Sequence, residues 1–413
     1  MPSIEPEMPE DVLMEILTRI PVKSLLRFKS VSKYWYSLIQ NPTFVSLHHT
    51  RARPKNCLLE SRQILDSRDP GQFNDDAVFS MCTVPDETSP MQDLDLSFSG
   101  IHDGDGDVKG VFFLGCHNGV MCLANDFTSS IVICNPATRE SRVLPPPLYE
   151  SKHRSYLGFT FDPKANDYKV IRFCAILEFM PFMSFDDDER SDYKSAYLDY
   201  NNHLGDHKVQ IYDMSIDSWR ETDAVVPIHF PSHYQPHYCP SLDGVFYWYL
   251  CCISRDMVIA FHTFEEQFEQ IPLWYAICKE SGTCAELCRL HDSLALALFK
   301  YEKDYPLVET CVEIWIMDDC GVNEGWTKRY TIGPLLERHK MLGFWPNGEL
   351  LLTCTWTHLL MNCNYRQILS YNHSTQEIKK YNWSRPRNGR LWSVKLQGFP
   401  YAESLISVKR LSD

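Results

Sequence analysis

The sequence predicts two units of different class, a small helical start over residues 1–53 and an all-β remainder over residues 54–413. Three observations predict this. Apolar residues recur at spacings of three and four only near the amino terminus. From about residue 56 onward they fall instead into short aromatic and β-branched runs, broken by Asn, Asp, Gly and Pro. Those runs pair into two kinds of hairpin that alternate along the chain, which is the mark of a repeat architecture.

The helical start reads as three short helices. Pro9 suits a first helical position, Glu10 and Asp11 suit the positive end, and Val12, Leu13, Ile16, Leu17 and Ile20 make one apolar stripe that Pro21 stops. A second helix is expected over Val22 to Ser30, with Leu25, Leu26 and Phe28 apolar. A third follows Ser32 as N-cap and carries Trp35, Leu38 and Ile39 until Asn41-Pro42 ends it. A unit of this size makes a marginal core, so part of its apolar surface is expected to be covered by another protein.

In the β region one kind of hairpin is a strand, a polar turn and a second strand, at Ile131–Thr138, Val209–Trp219, Val258–Phe264, Val312–Trp326 and Ile368–Ser374. The second kind is centred on the tight turns His117-Asn118-Gly119, Asp162–Asp167, Leu242-Asp243-Gly244, Leu290–Ser293 and Pro346-Asn347-Gly348. Two hairpins make four strands, the content of one propeller blade. With Asn135, Asp213, His262, Asp318 and Asn372 as markers, the intervals are 78, 49, 56 and 54 residues. The first is long by one acidic insertion, Ser184 to Asp206, and the others approach the roughly 40 to 50 residues of known propeller repeats. The expectation is therefore a β-propeller of about six blades, closed by pairing the tail Leu405-Ile406-Ser407-Val408 with Cys57-Leu58-Leu59. A repeated β-sandwich without closure is the alternative.

The chain of 413 residues carries a formal charge of −14, and residues 1–53 hold seven Lys/Arg against five Asp/Glu, which leaves −16 on the β region. That balance argues against nucleic acid as a partner and favours encounter with a basic macromolecule. Nothing in it approaches the roughly 18 apolar residues of a membrane span, and a soluble, intracellular protein is expected. The sixteen cysteines lie mostly in apolar runs such as Gly119–Leu123 and read as reduced core residues.

Templates for chemistry find little support. His229, His233, His237 and Cys239 have zinc-like spacing, but Pro231, Pro236 and Pro240 interrupt the helix that would align them. Asp103, Asp105 and Asp107 begin like a calcium loop, yet Val108 and Leu114 stand where Gly and Glu are required. No C-x-x-C, H-E-x-x-H, Walker A or G-x-S-x-G pattern occurs. No metal or cofactor is expected, and a propeller enzyme would need titratable groups converging near the ring axis.

The segment Met8-Pro9-Glu10-Asp11-Val12-Leu13-Met14-Glu15-Ile16-Leu17, followed by Leu25–Trp35, resembles an F-box over residues 8 to about 49. Met8 departs from the family's usual leucine, a swap that conserves volume and apolarity. The resemblance implies docking on a Skp-type adaptor, and through it on the cullin and RING subunits of a ubiquitin ligase. Pro9, Ile16, Leu17, Leu25, Leu26, Val31 and Trp35 would be the adaptor contacts. The remainder is similar to the F-box-associated, kelch-like region of plant proteins, through Cys134–Arg139, Leu157–Asp162, Asp167–Val170, Glu313–Asp318, Trp326–Lys328 and Thr331–Leu335. Its closest flavour is the S-locus F-box group, whose members act in pollen and target basic stylar S-ribonucleases.

These likenesses imply a non-catalytic substrate receptor in the cytoplasm, or in cytoplasm and nucleus, with an S-ribonuclease or another plant protein, such as an immune receptor or signalling component, as its target. The insertion supplies candidate target contacts in Phe182, Phe185, Asp186, Asp187, Asp188, Glu189 and Tyr193, aromatic anchors beside carboxylates that would steer a basic partner. Packing within the insertion is the other reading of the same residues.

Overall fold

A computed structural model describes residues 9–52, 54–65, 73–83, 92–94, 111–125, 130–149, 155–175, 207–227, 240–250, 256–273, 283–302, 309–317, 325–336, 339–354, 365–384 and 391–409. Four helices come first: α1 (Glu10–Leu17), α2 (Val22–Phe28), α3 (Lys33–Gln40) and α4 (Pro42–Arg51). The expected count was three. Asn41-Pro42 does end α3, but the same two residues start α4: the Asn41 carboxamide oxygen accepts the Thr43 N–H at 2.9 Å, and Pro42 fills a first-turn position whose N–H has no helical partner. Ser32 caps α3 as expected, accepting the Trp35 N–H at 3.2 Å.

The strands then form six four-stranded sheets. The first sheet holds β1 (Lys55–Leu65), β2 (Phe73–Thr83) and β3 (Gln92–Leu94). Five sheets of four consecutive strands follow. They are β4 (Val111–His117), β5 (Val120–Asn125), β6 (Ile131–Asn135) and β7 (Glu140–Val143); then β8 (Tyr156–Asp162), β9 (Asp167–Ala175), β10 (His207–Asp213) and β11 (Ser218–Thr222). Next come β12 (Ser241–Leu242), β13 (Val245–Leu250), β14 (Met257–His262) and β15 (Gln267–Pro272), and β16 (Thr283–Leu290), β17 (Ser293–Glu302), β18 (Glu309–Met317) and β19 (Trp326–Leu336). The last are β20 (His339–Phe344), β21 (Leu350–Cys354), β22 (Tyr365–Asn372) and β23 (Glu377–Ser384), after which β24 (Leu391–Tyr401) returns to the first sheet and pairs antiparallel with β1.

That return closes a ring, so the domain is a propeller and the open sandwich is excluded. The strand that closes it is not the expected one. Cys57, Leu58 and Leu59 pair with Phe399, Gly398 and Gln397, whereas Leu405–Val408 form no strand. Gly398 and Pro400 disguise β24 as a loop in the sequence. Both have a structural reason, since β24 is the end strand of its sheet and needs no ladder N–H on its free side. A Cβ at Gly398 would come within 2.6 Å of the Leu351 side chain.

Six apolar clusters between consecutive sheets complete the circle. Leu114, Val120 and Ile133 meet Leu157, Phe159 and Tyr168; Ile171 and Phe173 meet Phe246 and Trp248; Tyr247 and Ala260 meet Leu287 and Leu296. Further round, Ala297 and Ile314 meet Met341 and Leu352, Leu342 and Leu351 meet Leu58, and Leu59 and Phe399 meet Phe113 and Met121. Middle strands such as β6 are buried along their whole length because each is sandwiched by two neighbouring sheets, while the outer β15 is largely exposed.

The described turns that join the first strand of a sheet to its second, and the third to its fourth, lie on one face of the ring. The repeat markers Asn135, Asp213, His262 and Asn372 each end the third strand of a sheet, and the fourth residue beyond each marker, Arg139, Asp217, Glu266 and Gln376, has a positive φ. The carboxamide oxygens of Asn135 and Asn372 hold their turns by accepting N–H groups two and three residues on. The marker Asp318 lies outside the described residues.

Candidate docking surfaces and the central channel

The helical unit packs Leu17, Val22, Leu25, Leu38, Ile39 and Phe44 into one small core. His48 closes it from α4 by bonding the Ile20 carbonyl at 3.0 Å through Nε2. Arg51 ties α4 to α1, donating to the Thr18 hydroxyl at 2.7 Å and pairing with Glu15 at 2.5 Å. Hydrogen bonds from Arg51 and then Arg19 hold the Glu15 carboxyl below its ordinary pKa.

Of the seven residues assigned to adaptor contact, the structure separates two from the rest. Leu17 and Leu25 are 1% and 0% exposed, so they support the surface from inside and cannot touch a partner without unfolding the unit. Helical spacing reveals a stripe but not how wide a part of it the other helices cover. Ile16 is 46% and Val31 68% exposed, Pro9 is exposed, and Leu26 and Trp35 are half-buried, Trp35 packing edge-on against Phe28 at 5.4 Å. Val12, one turn before Ile16 on the same face, is also 46% exposed and belongs to this surface although the sequence reading left it out. The assigned target contacts Phe182, Phe185, Asp186, Asp187, Asp188, Glu189 and Tyr193 lie outside the described residues, as do His229, His233, His237, Cys239, Asp103, Asp105 and Asp107.

The other side of the helical unit rests on the short-turn face of the ring. His49 Nε2 lies 3.1 Å from the Asn118 side-chain oxygen, and Ala137 packs against the helical core. The seventh buried member of that core comes from the far end of the chain, Leu405. The tail that carries it is pinned by Asn135, whose amide nitrogen donates to the carbonyls of Ser404 at 3.1 Å and Ile406 at 2.7 Å, and by the Val408 N–H bonding Glu140 at 3.1 Å. Gly119, at φ +76°, is required beneath it: a Cβ there would sit 2.5 Å from the Ala402 carbonyl oxygen.

Inside the ring the end strands of the sheets enclose a channel cavity of about 750 Å³. Its walls bring together polar groups that share no motif: His117 from β4, Ser241 from β12, Glu286 and Arg289 from β16, Lys340 from β20 and His49 from α4. The sequence carried no signal of this convergence, because the groups come from four different sheets and a helix, far apart along the chain. His117 Nε2 and the Ser241 hydroxyl are 2.7 Å apart, and Ser241 also donates to the Phe159 carbonyl at 3.2 Å. Desolvation, reinforced by the Arg289 charge, pushes His117 down to about 4. An imidazole so reluctant to take a proton is a poor general base at neutral pH, and the pair acts as a pin between sheets. Burial raises Glu286 to about 7 against the opposing charge of Lys340. Thiols in the surrounding walls are pushed up by burial, Cys134 to about 12 and Cys116, Cys122 and Cys288 likewise upward, so these cysteines are inert apolar filling.

A closed β-ring with a helical unit pinned to its short-turn face, and an apolar stripe left bare on that unit, defines a two-ended protein-docking adaptor. The F-box associated beta propeller domain matches residues 72–391 and the F-box domain matches residues 6–47, so this chain belongs to the F-box proteins that carry an F-box associated β-propeller. Proteins similar to it include several from Arabidopsis thaliana. The F-box/kelch-repeat protein At1g12870 is 25% identical, over 85% of this chain and 77% of the relative. F-box protein At4g19940 is 28% identical over 84% and 79%, and F-box protein CPR1 24% over 78% and 72%. The F-box implies binding to a Skp-type adaptor within a Skp–cullin–F-box ubiquitin ligase, with the chain as its substrate receptor.

Proposed function

We propose that this chain presents a target protein to a ubiquitin ligase by gripping the adaptor through Pro9, Val12, Ile16, Leu26, Val31 and Trp35 and the target through the face of the ring remote from the helices. The observation that carries this reading is the bare stripe on a helical unit whose other side is already covered by the ring and the tail. The polypeptide does no covalent chemistry of its own. It supplies proximity, because holding a target lysine beside a charged conjugating enzyme raises the effective concentration of the reacting groups. Co-purification with a Skp-type adaptor tests it. The double change Ile16→Asp and Val31→Asp should abolish capture while leaving the melting transition in place, and a wild-type chain that captures no adaptor overturns the reading.

The target is a basic protein, and a stylar S-ribonuclease is the narrower form of this proposal, with the cytoplasm, or cytoplasm and nucleus, as the compartment. It is supported by the −16 formal charge outside residues 1–53 and by the S-locus likeness of the sequence motifs. Capture of some allelic S-ribonucleases and not others from style extract, weakening with salt, is the expected result. Capture of an unrelated plant protein, with no ribonuclease retained, replaces the narrower form with another target.

A further inference from the structure

Capture of a protein on the outer face leaves the interior of the ring without a task. We propose that the central channel is a binding site for a small organic carboxylate with an aromatic or otherwise apolar body. At about 750 Å³ the cavity is of the size that encloses a small organic ligand. Phe113, Tyr249, Phe344, Trp345 and Phe399 contribute apolar walls, and polar groups from several sheets and from α4 converge between them. His49, Ala52 and Pro54 belong to the same wall, so the helical unit borders the cavity, and this favours a compact ligand over a chain passing through the ring.

The polar end favours an anion. Arg289 spends its Nε proton on the His291 carbonyl at 2.7 Å and one terminal nitrogen on Asp292 at 3.2 Å. The Asp292 side chain is 96% exposed, so that pair lies in water and is weak, and the rest of the guanidinium is available for a planar carboxylate. The Ser241 hydroxyl and the uncharged His117 ring also line the cavity, but they are already bonded to each other and to the Phe159 carbonyl, so Arg289 supplies the donors. The opposing acid is Glu286, which Lys340 from the next sheet faces and whose desolvated carboxyl is partly protonated near neutrality. The wall carries Arg289 and Lys340 against Glu286 and Asp292, and the partial protonation of Glu286 near neutrality tips that balance to the positive side.

Calorimetry on the full chain purified with its Skp-type adaptor tests the proposal, with 3-phenylpropanoate as the probe and 3-phenylpropan-1-ol and 3-phenylpropylamine as its neutral and cationic counterparts. The acid should bind at least about tenfold more tightly than either counterpart, and Arg289→Gln should weaken it by a similar factor, about 1.4 kcal/mol. Cys284→Trp, made at an exposed wall position, should fill the cavity and remove binding, while Glu286→Gln should leave the acid bound as well or better. Adaptor capture should be unchanged throughout, which separates this site from the docking function. No binding of the acid by a cooperatively melting complex, an amine that binds as tightly, a loss on Glu286→Gln, or indifference to Arg289→Gln and Cys284→Trp overturns it.

Discussion

The helical unit and the ring solve the same burial problem in opposite ways. Each sheet of the ring packs against a neighbour on both faces through the described residues. The four helices cannot do this. They bury six apolar side chains among themselves, recruit Leu405 from the end of the chain as a seventh, and still expose Val12, Ile16, Val31, Tyr34 and Tyr36. The difference teaches that the unit is completed by what lies outside it: on one side the tail and ring, on the other a partner. The exposed apolar residues of the ring, among them Ile216, Val225, Phe264 and Leu336, come from separate segments, whereas Val12 and Ile16 continue one face of a helix. A contiguous exposed apolar stripe is the part that association completes.

The largest test of this contrast sets Leu25→Asp against Ile16→Asp. A charge placed at the fully buried Leu25 should cost more than about 4 kcal/mol and abolish adaptor capture by unfolding the unit, whereas the exposed Ile16 change should weaken capture and leave hydrogen-exchange protection of α2 and α3 intact. Equal loss of protection in both would mean that the stripe is core and not surface. A second test reaches the unit through the tail. Leu405→Ala should destabilise the helices by about 3 kcal/mol, seen as faster exchange of α2 and α3 amides, while β1 and β24 keep their protection because their pairing does not involve it.

The third and smallest effect belongs to the ring. The His117 imidazole has a folded pKa of about 4, below the ordinary 6.5, so between these values the unfolded chain binds the proton that the folded chain refuses. Its contribution is fully present above pH 6.5 and is lost as pH falls through 4. Because the ring borders a channel, that contribution is discounted to roughly 1–3 kcal/mol. Glu286, raised to about 7, has the opposite sign: its favourable contribution is present below about pH 4.5 and is lost as pH rises through 7. Denaturant unfolding across pH 4 to 8 should show a His117→Asn chain losing less stability than wild type on acidification, and a Glu286→Gln chain losing less on the alkaline side. Parallel curves for all three chains would show that neither group is desolvated by the walls.

Much of this architecture was legible because it is local. The markers Asn135, Asp213, His262 and Asn372 stand at strand ends because each precedes a four-residue turn with a positive φ at its last position, a local device that recurs from sheet to sheet. The Pro, Ser and Asn punctuation of the helices was legible for the same reason, although Asn41-Pro42 was read as an end and not also as a beginning. The closing strand was misread because Gly398 and Pro400 look like loop residues, and their tolerance depends on β24 being an end strand packed close to β20. Leu405–Val408 misled for the converse reason: the run is apolar because Leu405 enters the helical core and Ile406 and Val408 pack on the neighbouring sheets, not because it pairs.

From residue order alone came the division into helices and strands, the hairpin alternation and the stripe on the first helix, since each depends on interactions within a few positions along the chain. Only the folded ring decided which strand closes it, that Leu17 and Leu25 lie beneath the stripe instead of in it, and that His117, Ser241, Glu286, Arg289 and Lys340 face one cavity. Those outcomes arise from surfaces brought together over hundreds of residues, and no local spacing encodes them.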